Sequence, residues 1–305
     1  MSPRSALGFS VMVLVSCAVG LPTASPPPPV VVRGAAAPLP RAEPMLHVDF
    51  ENDPIGPYSP ARLAADWGSG VAGARGVWSQ GLSEGRASIV ATERGHSLRV
   101  LYPKGSVGPS EGGAQFLVGI PGSHDDLYCS YQVRFASGFG FVRGGKLPGL
   151  VGGSHPTGGK PADDGFSARL MWRPGGAAVQ YVYCPRQTTQ YGVDLPYVLP
   201  SGAPVKFLPG TWHRVEHRVA MNGTPPATTE GEIGQVHGNG ILQAWFDGQP
   251  VLDLRDRVWR LDGAIHVDAL YFSTFFGGND PSWGAERDET VDFDDVVVSA
   301  SPIGR

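Results

Sequence analysis

The sequence predicts an all-β protein, built as a two-sheet antiparallel sandwich of the jelly-roll kind. From Met45 onward no long segment places apolar residues at helical spacing. Short stretches of alternating, β-branched or aromatic residues recur instead between Gly, Pro, Asn and Asp turns. There are roughly nine such stretches and no repeat of fixed period, which favours a sandwich.

The predicted strands share β-branched and aromatic residues bounded by turn signals. They are Leu46 to Phe50, Leu98 to Tyr102, Leu127 to Phe135, Phe166 to Trp172, Val179 to Cys184, Trp212 to Met221, Ile241 to Phe246, Ala269 to Phe276 and Glu289 to Ser299. Asp247-Gly248, Asn222-Gly223 and Pro174-Gly175-Gly176 are natural turns between them. The first and last strands are expected to pair. Acidic residues there suit either a structural Ca²⁺ or plain solvation.

Composition and charge limit the classes of function. The chain has 305 residues, with 41% hydrophobic and 17% charged residues, and its 43 Gly and 29 Pro agree with a folded core rich in turns. A net charge of -4 without any basic block argues against a nucleic-acid partner. An anionic substrate would therefore have to meet local rather than global positive charge.

The N-terminus has the layout of a secretory signal. Arg4 precedes an apolar run from Ala6 to Val15, which is too short to span a bilayer. We therefore predict a signal peptide over residues 1–20. Leu14-Val15-Ser16-Cys17 also resembles the bacterial lipobox, in which the cysteine is lipidated; the alternative is an ordinary cleaved signal with an incidental cysteine. Either way we expect a secreted or extracytoplasmic protein that touches a membrane only through a lipid on Cys17.

A tether and one folded domain are predicted after the signal. Residues 21–44 are rich in Pro and Ala and show no periodicity, which is typical of an extended tether. Residues 45–303 form the predicted domain, which we expect to be monomeric. Cys129 and Cys184 are its two cysteines, and an exported protein permits either a disulfide or two free thiols.

Two predicted strands carry polar residues at every second position. Alternation places Ser167 and Arg169 together on the face opposite to the apolar residues of their strand. Tyr181 and Tyr183 share a face of the next strand in the same way. Because a Pro-Gly-Gly turn makes these strands a hairpin, all four side chains are expected on one surface patch.

A glycine-rich segment upstream holds Lys146. Alone, each of these polar residues is ordinary surface or cross-strand packing. Together, Lys146 and the hairpin form a set that can bind a carboxylate and move protons.

Several segments of the chain, including those that hold Lys146 and the predicted hairpin, resemble polysaccharide lyase family 14. That family includes alginate lyases and lyases that act on glucuronate polymers. The resemblance covers most of residues 120 to 300. It rests on segments 145–150, 165–172 and 181–183, and continues through 210–213, 247–248, 272–278 and 293–295.

The resemblance implies a concanavalin-like jelly roll with a substrate groove across its concave sheet. It implies an acidic polysaccharide as substrate. The catalytic positions that it implies are Lys146, Ser167, Arg169, Tyr181 and Tyr183.

Cleavage of a 4-linked uronate, as in alginate or a glucuronan, by β-elimination needs a cation, a base and an acid. Arg169 suits the carboxylate clamp, because its planar fork matches two oxygens and stays charged. Tyr183 or Tyr181 would handle the C5 and O4 protons, Lys146 would share base duty or neutralise the carboxylate, and Ser167 would hydrogen-bond it. Arg169 is expected to lower the pKa of the tyrosines and of Lys146, and the activity optimum to be neutral to alkaline.

The remaining candidates concern substrate contact and metals. His155 and Trp283 are predicted to line the groove, whereas alternation puts Trp172 in the core. The histidines show no metal-ligand spacing, and the reaction requires no cofactor.

Two other functions remain open from the residues alone. The first is a non-catalytic carbohydrate-binding module, since a jelly roll does not imply catalysis. The second is a glycoside hydrolase, which needs two facing carboxylates that the hairpin does not supply.

Overall fold

Strands dominate the part of the chain that the computed structural model describes, residues 43–68, 80–224 and 236–304. Arg41–Arg305 form one compact unit. The predicted signal peptide, Cys17 and nearly all of the tether lie outside the described residues. Within those residues, no helix is long and apolar enough to cross a membrane.

The described residues form fifteen strands, one α-helix and two short 3-10 turns. The strands are β1 Leu46–Val48, β2 Gly56–Pro57, β3 Ala87–Thr92, β4 Gly95–Tyr102, β5 Ala114–His124, β6 Asp126–Phe135, β7 Gly145–Gly153, β8 Gly165–Trp172, β9 Ala178–Tyr183, β10 Val193–Pro196, β11 Trp212–Ala220, β12 Gly240–Phe246, β13 Gln249–Arg257, β14 Val267–Phe276 and β15 Glu289–Ser299. Helix α1 spans Pro60–Asp66, and the 3-10 turns span Pro174–Gly176 and Pro281–Trp283.

The strands build two antiparallel sheets. The nine-stranded sheet has the order β13-β12-β11-β6-β15-β4-β3-β2, with β1 paired to β15. The six-stranded sheet has the order β10-β9-β8-β7-β14-β5. The prediction of an all-β, two-sheet jelly roll is confirmed.

All nine predicted strands are present, with ends shifted by a few residues. The predicted pairing of the first and last strands is also confirmed, with Leu46 opposite Val298. On β15 the Asp292 carboxylate accepts hydrogen bonds from Arg99 and Arg134. No group of three or more His, Cys, Asp or Glu residues is placed to hold a metal ion in the described ranges.

Strand β7 was not predicted, and Lys146 therefore lies on a strand rather than in a loop. Its sequence is rich in glycine and contains Pro148, residues that are depleted in strands. The structure explains both. A Cβ on Gly149 would lie 2.2 Å from the carbonyl oxygen of Ala168 on β8, so only glycine permits this close approach. Pro148 sits where the β7–β8 register shifts, and its carbonyl accepts a hydrogen bond from Tyr131.

The six-stranded sheet has two different faces. Phe166, Ala168, Leu170 and Trp172 of β8 point into the hydrophobic core between the sheets, as alternation predicted. Met171, Tyr181 and Tyr183 form a separate buried cluster on the opposite face. That outer face carries the candidate site.

The two cysteines of the domain are both free thiols. Cys129 is buried on β6, and Cys184 follows β9 and is half-buried. The disulfide, one of the two alternatives left open by the sequence, is absent.

Candidate active site

A cleft of about 960 Å³ lies over the outer face of the six-stranded sheet. Lys146, Arg169, Tyr181, Tyr183 and Trp283 line it, so the structure brings together five of the seven predicted site residues of the folded domain. They come from β7, β8, β9 and the second 3-10 turn.

The β8–β9 hairpin supplies the floor of the cleft. Arg169 pairs with Tyr181, and Ser167 pairs with Tyr183, across the hairpin. The two tyrosine rings meet edge to face with their centroids 5.6 Å apart. The residues were expected on an open surface patch, but Arg169 is only 2% exposed and Tyr183 only 1%. The loops around the sheet therefore turn the patch into the floor of a cleft.

Arg169 is a buried cation whose hydrogen-bonding capacity is only partly used. One terminal nitrogen donates to the Ser273 hydroxyl at 3.1 Å, and the guanidinium carbon lies 5.1 Å from the centre of the Tyr271 ring. Its Nε–H has no partner, and no carboxylate among the described residues pairs with it. Burial lowers the pKa of Arg169 from its ordinary value. A buried charge without a partner is costly, which favours an anionic ligand at this point.

A chain of side chains behind Arg169 orients its guanidinium. Ser273 accepts from Arg169 and donates to the Gln115 amide oxygen at 3.3 Å, and Gln115 donates to Gln80 at 3.2 Å. Tyr271, Ser273 and Gln115 were not among the predicted site residues. Alternation along β14, which puts residues 271, 273 and 275 on one face, was the available signal.

Lys146 reaches the cleft from β7, opposite Met171 of β8. Its amine donates to the Met171 sulfur at 2.7 Å and lies 3.3 Å from the centre of the Tyr181 ring. Burial, followed by the positive charges of Arg169 and Arg173, lowers the pKa of Lys146 well below its ordinary value. The lowering by Arg169 was predicted; burial is the larger cause.

The predicted net lowering of the Tyr181 pKa is wrong, although the direction of the Arg169 effect is as predicted. Burial is the largest cause and raises the pKa of Tyr181 above its ordinary value, and a hydrogen bond with Tyr183 raises the pKa further. Arg169 acts in the opposite direction but is outweighed. Tyr181 is therefore a phenol that holds its proton. The Tyr183 hydroxyl accepts a hydrogen bond from the Gly159 amide at 3.1 Å.

Ser167 and His155 do not line the cleft. The Ser167 hydroxyl is fully buried and donates to the carbonyl of Pro156 at 2.9 Å. The ring of His155 donates from Nε2 to a carboxylate oxygen of Asp268 at 2.6 Å. Both contacts belong to the connection between β7 and β8 rather than to the cleft floor.

Trp283 lies at one end of the cleft, beside two arginines. The guanidinium carbons of Arg143 and Arg173 lie 4.9 and 5.8 Å from the ring centre. Arg173 is bound through two hydrogen bonds, of 2.7 and 2.6 Å, to Asp194. Trp172, by contrast, is fully buried in the core, as predicted.

Carboxylates are scarce in the cleft. Asp194 is the one carboxylate among the described residues that line it, and Arg173 already pairs with it. A hydrolase of the two-carboxylate type would need a second acid facing the first. The cleft lining instead offers Lys, Arg and Tyr.

Comparisons with known proteins find a matching family model and similar structures. The family model for polysaccharide lyase 14 matches residues 90–296. The solved structure of alginate lyase Aly36B is 26% identical, with a TM-score of 0.67 over 85% of this chain and 98% of that one. No match was found among proteins of curated function.

Two further structures share the fold. A PL-14 alginate lyase from Aplysia kurodai is 24% identical, with a TM-score of 0.65 over 84% of this chain and 99% of that one. An endo-β-1,4-glucuronan lyase from Trichoderma reesei is 14% identical, with a TM-score of 0.50 over 85% of this chain and 96% of that one.

Proposed function

Because the chain belongs to polysaccharide lyase family 14, we propose that it cleaves a 4-linked polyuronate, alginate or a glucuronan, by β-elimination. One observation carries the proposal: Arg169, a buried cation without a carboxylate partner among the described residues, stands beside Lys146 in the floor of a cleft. The similar structures named above are of enzymes that act on alginate and on a glucuronan, which supports this substrate class.

Arg169 binds the uronate carboxylate in this proposal. Its unpartnered Nε–H and its fork geometry suit a bidentate contact, while Ser273 holds the other side of the guanidinium. The carboxylate takes up negative charge when the C5 proton leaves. A fixed cation at that place stabilises the charge as it develops.

Lys146 is the base in this proposal. Its pKa lies well below the ordinary value, which favours the neutral amine, and its neighbours Met171 and Tyr181 are weak partners that leave the lone pair free. The amine takes the C5 proton, the C5–H electrons form the C4=C5 double bond, and the C4–O4 bond breaks.

The tyrosine pair supplies the proton for the leaving O4. Tyr181 keeps its proton because burial raises its pKa, and it is hydrogen-bonded to Tyr183. The buried environment thus keeps the phenol protonated as the acid and favours the neutral amine as the base. Trp283 is proposed to stack on a sugar ring at the end of the cleft.

The test is an ultraviolet assay for the new C4=C5 bond. The full chain is incubated with alginate, with a 4-linked glucuronan and with a neutral 4-linked glucan, over a pH series and with or without a chelator. We expect absorbance to rise with at least one polyuronate, equally with the chelator, and never with the neutral glucan. Binding of polyuronates without product at any pH would instead indicate a carbohydrate-binding module.

We also propose that the protein is exported and that Cys17 carries a lipid. The apolar run from Ala6 to Val15 and the residues preceding Cys17 support this. Expression of the full chain and of Cys17→Ala in a bacterium tests it: the wild type should fractionate with membranes, and the variant should be released. Equal release of both proteins would contradict lipidation and favour an ordinary cleaved signal peptide.

A further inference from the structure

The loop between β7 and β8, residues 154–164, forms part of the cleft wall. Thr157, Gly158 and Lys160 line the cleft. Between them, the Gly159 amide donates to the Tyr183 hydroxyl at 3.1 Å. The loop thus touches one of the two tyrosines that the proposed reaction uses.

A hydrogen bond between His155 and Asp268 fastens this loop to the sheet. The Nε2 of His155 lies 2.6 Å from one carboxylate oxygen of Asp268, and the Gly153 amide donates to the other oxygen at 2.9 Å. Asp268 belongs to β14, which pairs with β7. One carboxylate therefore ties the end of β7 and the start of the loop to the neighbouring strand.

Two further hydrogen bonds hold the loop from the side of β8. The buried Ser167 hydroxyl donates to the carbonyl of Pro156 at 2.9 Å. Ser154 donates to the carboxylate of Asp164 at 2.5 Å, across the two ends of the loop. Ser167, which pairs with Tyr183 across the hairpin, therefore holds the loop close to that tyrosine.

The backbone at His155 needs such support. Its φ is +52°, in the left-handed region that non-glycine residues rarely adopt. A conformation of this kind costs free energy and persists where surrounding contacts impose it. The side chain of His155 is 17% exposed and that of Asp268 is 38% exposed, so the contact is partly shielded from solvent on the His155 side.

We propose that His155 and Asp268 are positioning residues, which fix the β7–β8 loop so that the Gly159 amide holds the Tyr183 hydroxyl in place. Because the amide donates to the phenol oxygen, the phenol proton must point elsewhere, towards Tyr181 or a ligand. A displacement of about 1 Å at a reacting group can cost a factor of up to about 100 in rate. The role in catalysis rests on the proposed lyase function, whereas the fastening of the loop does not.

The experiment compares the full-length wild type with His155→Ala, His155→Gln, Asp268→Ala and the double variant His155→Ala/Asp268→Ala. His155→Gln keeps a side-chain N–H donor. His47→Ala is the matched control, because His47 also pairs with an aspartate, Asp295, at 3.4 Å on the other sheet. Hydrogen–deuterium exchange of peptides that cover residues 154–164 reports on the loop, and kcat and KM report on the reaction.

We expect His155→Ala to speed exchange in the loop and to lower kcat by about tenfold or more, with KM changed less than about twofold. His155→Gln should have a kcat within about threefold of the wild-type value. The double variant should have a kcat little lower than that of Asp268→Ala, because Asp268→Ala already removes the contact with His155 along with that of the Gly153 amide. His47→Ala should match the wild type in both measurements.

Each contrary result has its own meaning. Unchanged exchange of the loop in His155→Ala and in Asp268→Ala would overturn the fastening, whether or not the enzyme is active. Faster exchange with an unchanged kcat, or with an effect on KM alone, would overturn the positioning role. A wild type that forms no unsaturated product would overturn the proposed function, while exchange would still decide the fastening. If His155→Ala does not fold, Asp268→Ala takes its place as the disrupting variant, and His155→Gln remains the conservative one.

Discussion

The amine of Lys146 lies 3.3 Å from the centre of the Tyr181 ring, so the candidate base and the candidate acid are in contact. Tyr181 is buried and Lys146 is half-buried, and burial is the first cause of both pKa shifts. Burial disfavours the charged form, which is the acid form of lysine but the base form of tyrosine. One environment therefore prepares a neutral amine and a neutral phenol side by side.

Lys146→Met should abolish activity and stabilise the protein. The amine is the proposed base, while the cost of burying it disappears with an apolar side chain of similar length. We expect kcat to fall by at least about 100-fold and the melting temperature to rise by about 2–4 °C at neutral pH. Calorimetry and the ultraviolet assay measure the two effects. Lys104→Met, at an exposed lysine outside the cleft, is the control and should change neither.

The two members of the Arg173–Asp194 pair should shift the pH profile in opposite directions. Arg173 lowers the pKa of Lys146, and Asp194 raises it. Since the amine must be deprotonated, kcat/KM should rise as pH rises through the pKa of Lys146. Arg173→Gln should move this acid limb to higher pH, and Asp194→Asn should move it to lower pH.

The pH dependence of kcat/KM in the free enzyme gives the measurement. High salt should shrink both displacements, because it screens charges near the surface. If both variants move the limb in the same direction, Lys146 is not the group that titrates.

Arg169 should depend on its shape as well as on its charge. Arg169→Ala should lower kcat/KM by about 100- to 1,000-fold, because it removes the cation at the developing charge. Arg169→Lys should recover little of this, since a lysine lacks the planar fork. Ser273→Ala should lower kcat/KM less, by about three- to tenfold, because this change only frees the guanidinium to rotate.

Arg99→Ala is the control for the arginine variants. Arg99 binds Asp292 on the nine-stranded sheet, away from the cleft. Its kinetics should equal those of the wild type. Near-normal rates in Arg169→Lys would contradict a bidentate carboxylate contact.

Gly149→Ala should destabilise the protein more than an ordinary glycine substitution. The added Cβ would lie 2.2 Å from the Ala168 carbonyl and 2.6 Å from the Arg169 Cα, so β7 and β8 would have to separate. We expect a loss of about 1–3 kcal/mol in the free energy of unfolding, measured by urea titration. Gly223→Ala, where the nearest atoms would be 3.8 Å away, should stay within about 0.5 kcal/mol of the wild type.

Strand periodicity accounts for what could be read without a structure. Alternation placed Trp172 in the core and Arg169 on the opposite face, and both assignments are confirmed. Periodicity did not predict β7. The close approach of β8 requires glycines there, so β7 has few of the β-branched residues by which a strand is recognised. The predictions for His155 and Ser167 did not rest on alternation alone, and in the structure the polar groups of these residues contact β14 and the β7–β8 loop rather than the cleft.

The all-β class, the β8–β9 hairpin and the face that carries Arg169, Tyr181 and Tyr183 could be predicted from the sequence, because they follow from a period of two and a tight turn. Three features could not: the contact of Lys146 with Tyr181, the orientation of Arg169 by Ser273, and the dominance of burial over Arg169 in the pKa of Tyr181. These depend on contacts between strands distant in the chain and on exclusion of water. Neither is encoded in local spacing.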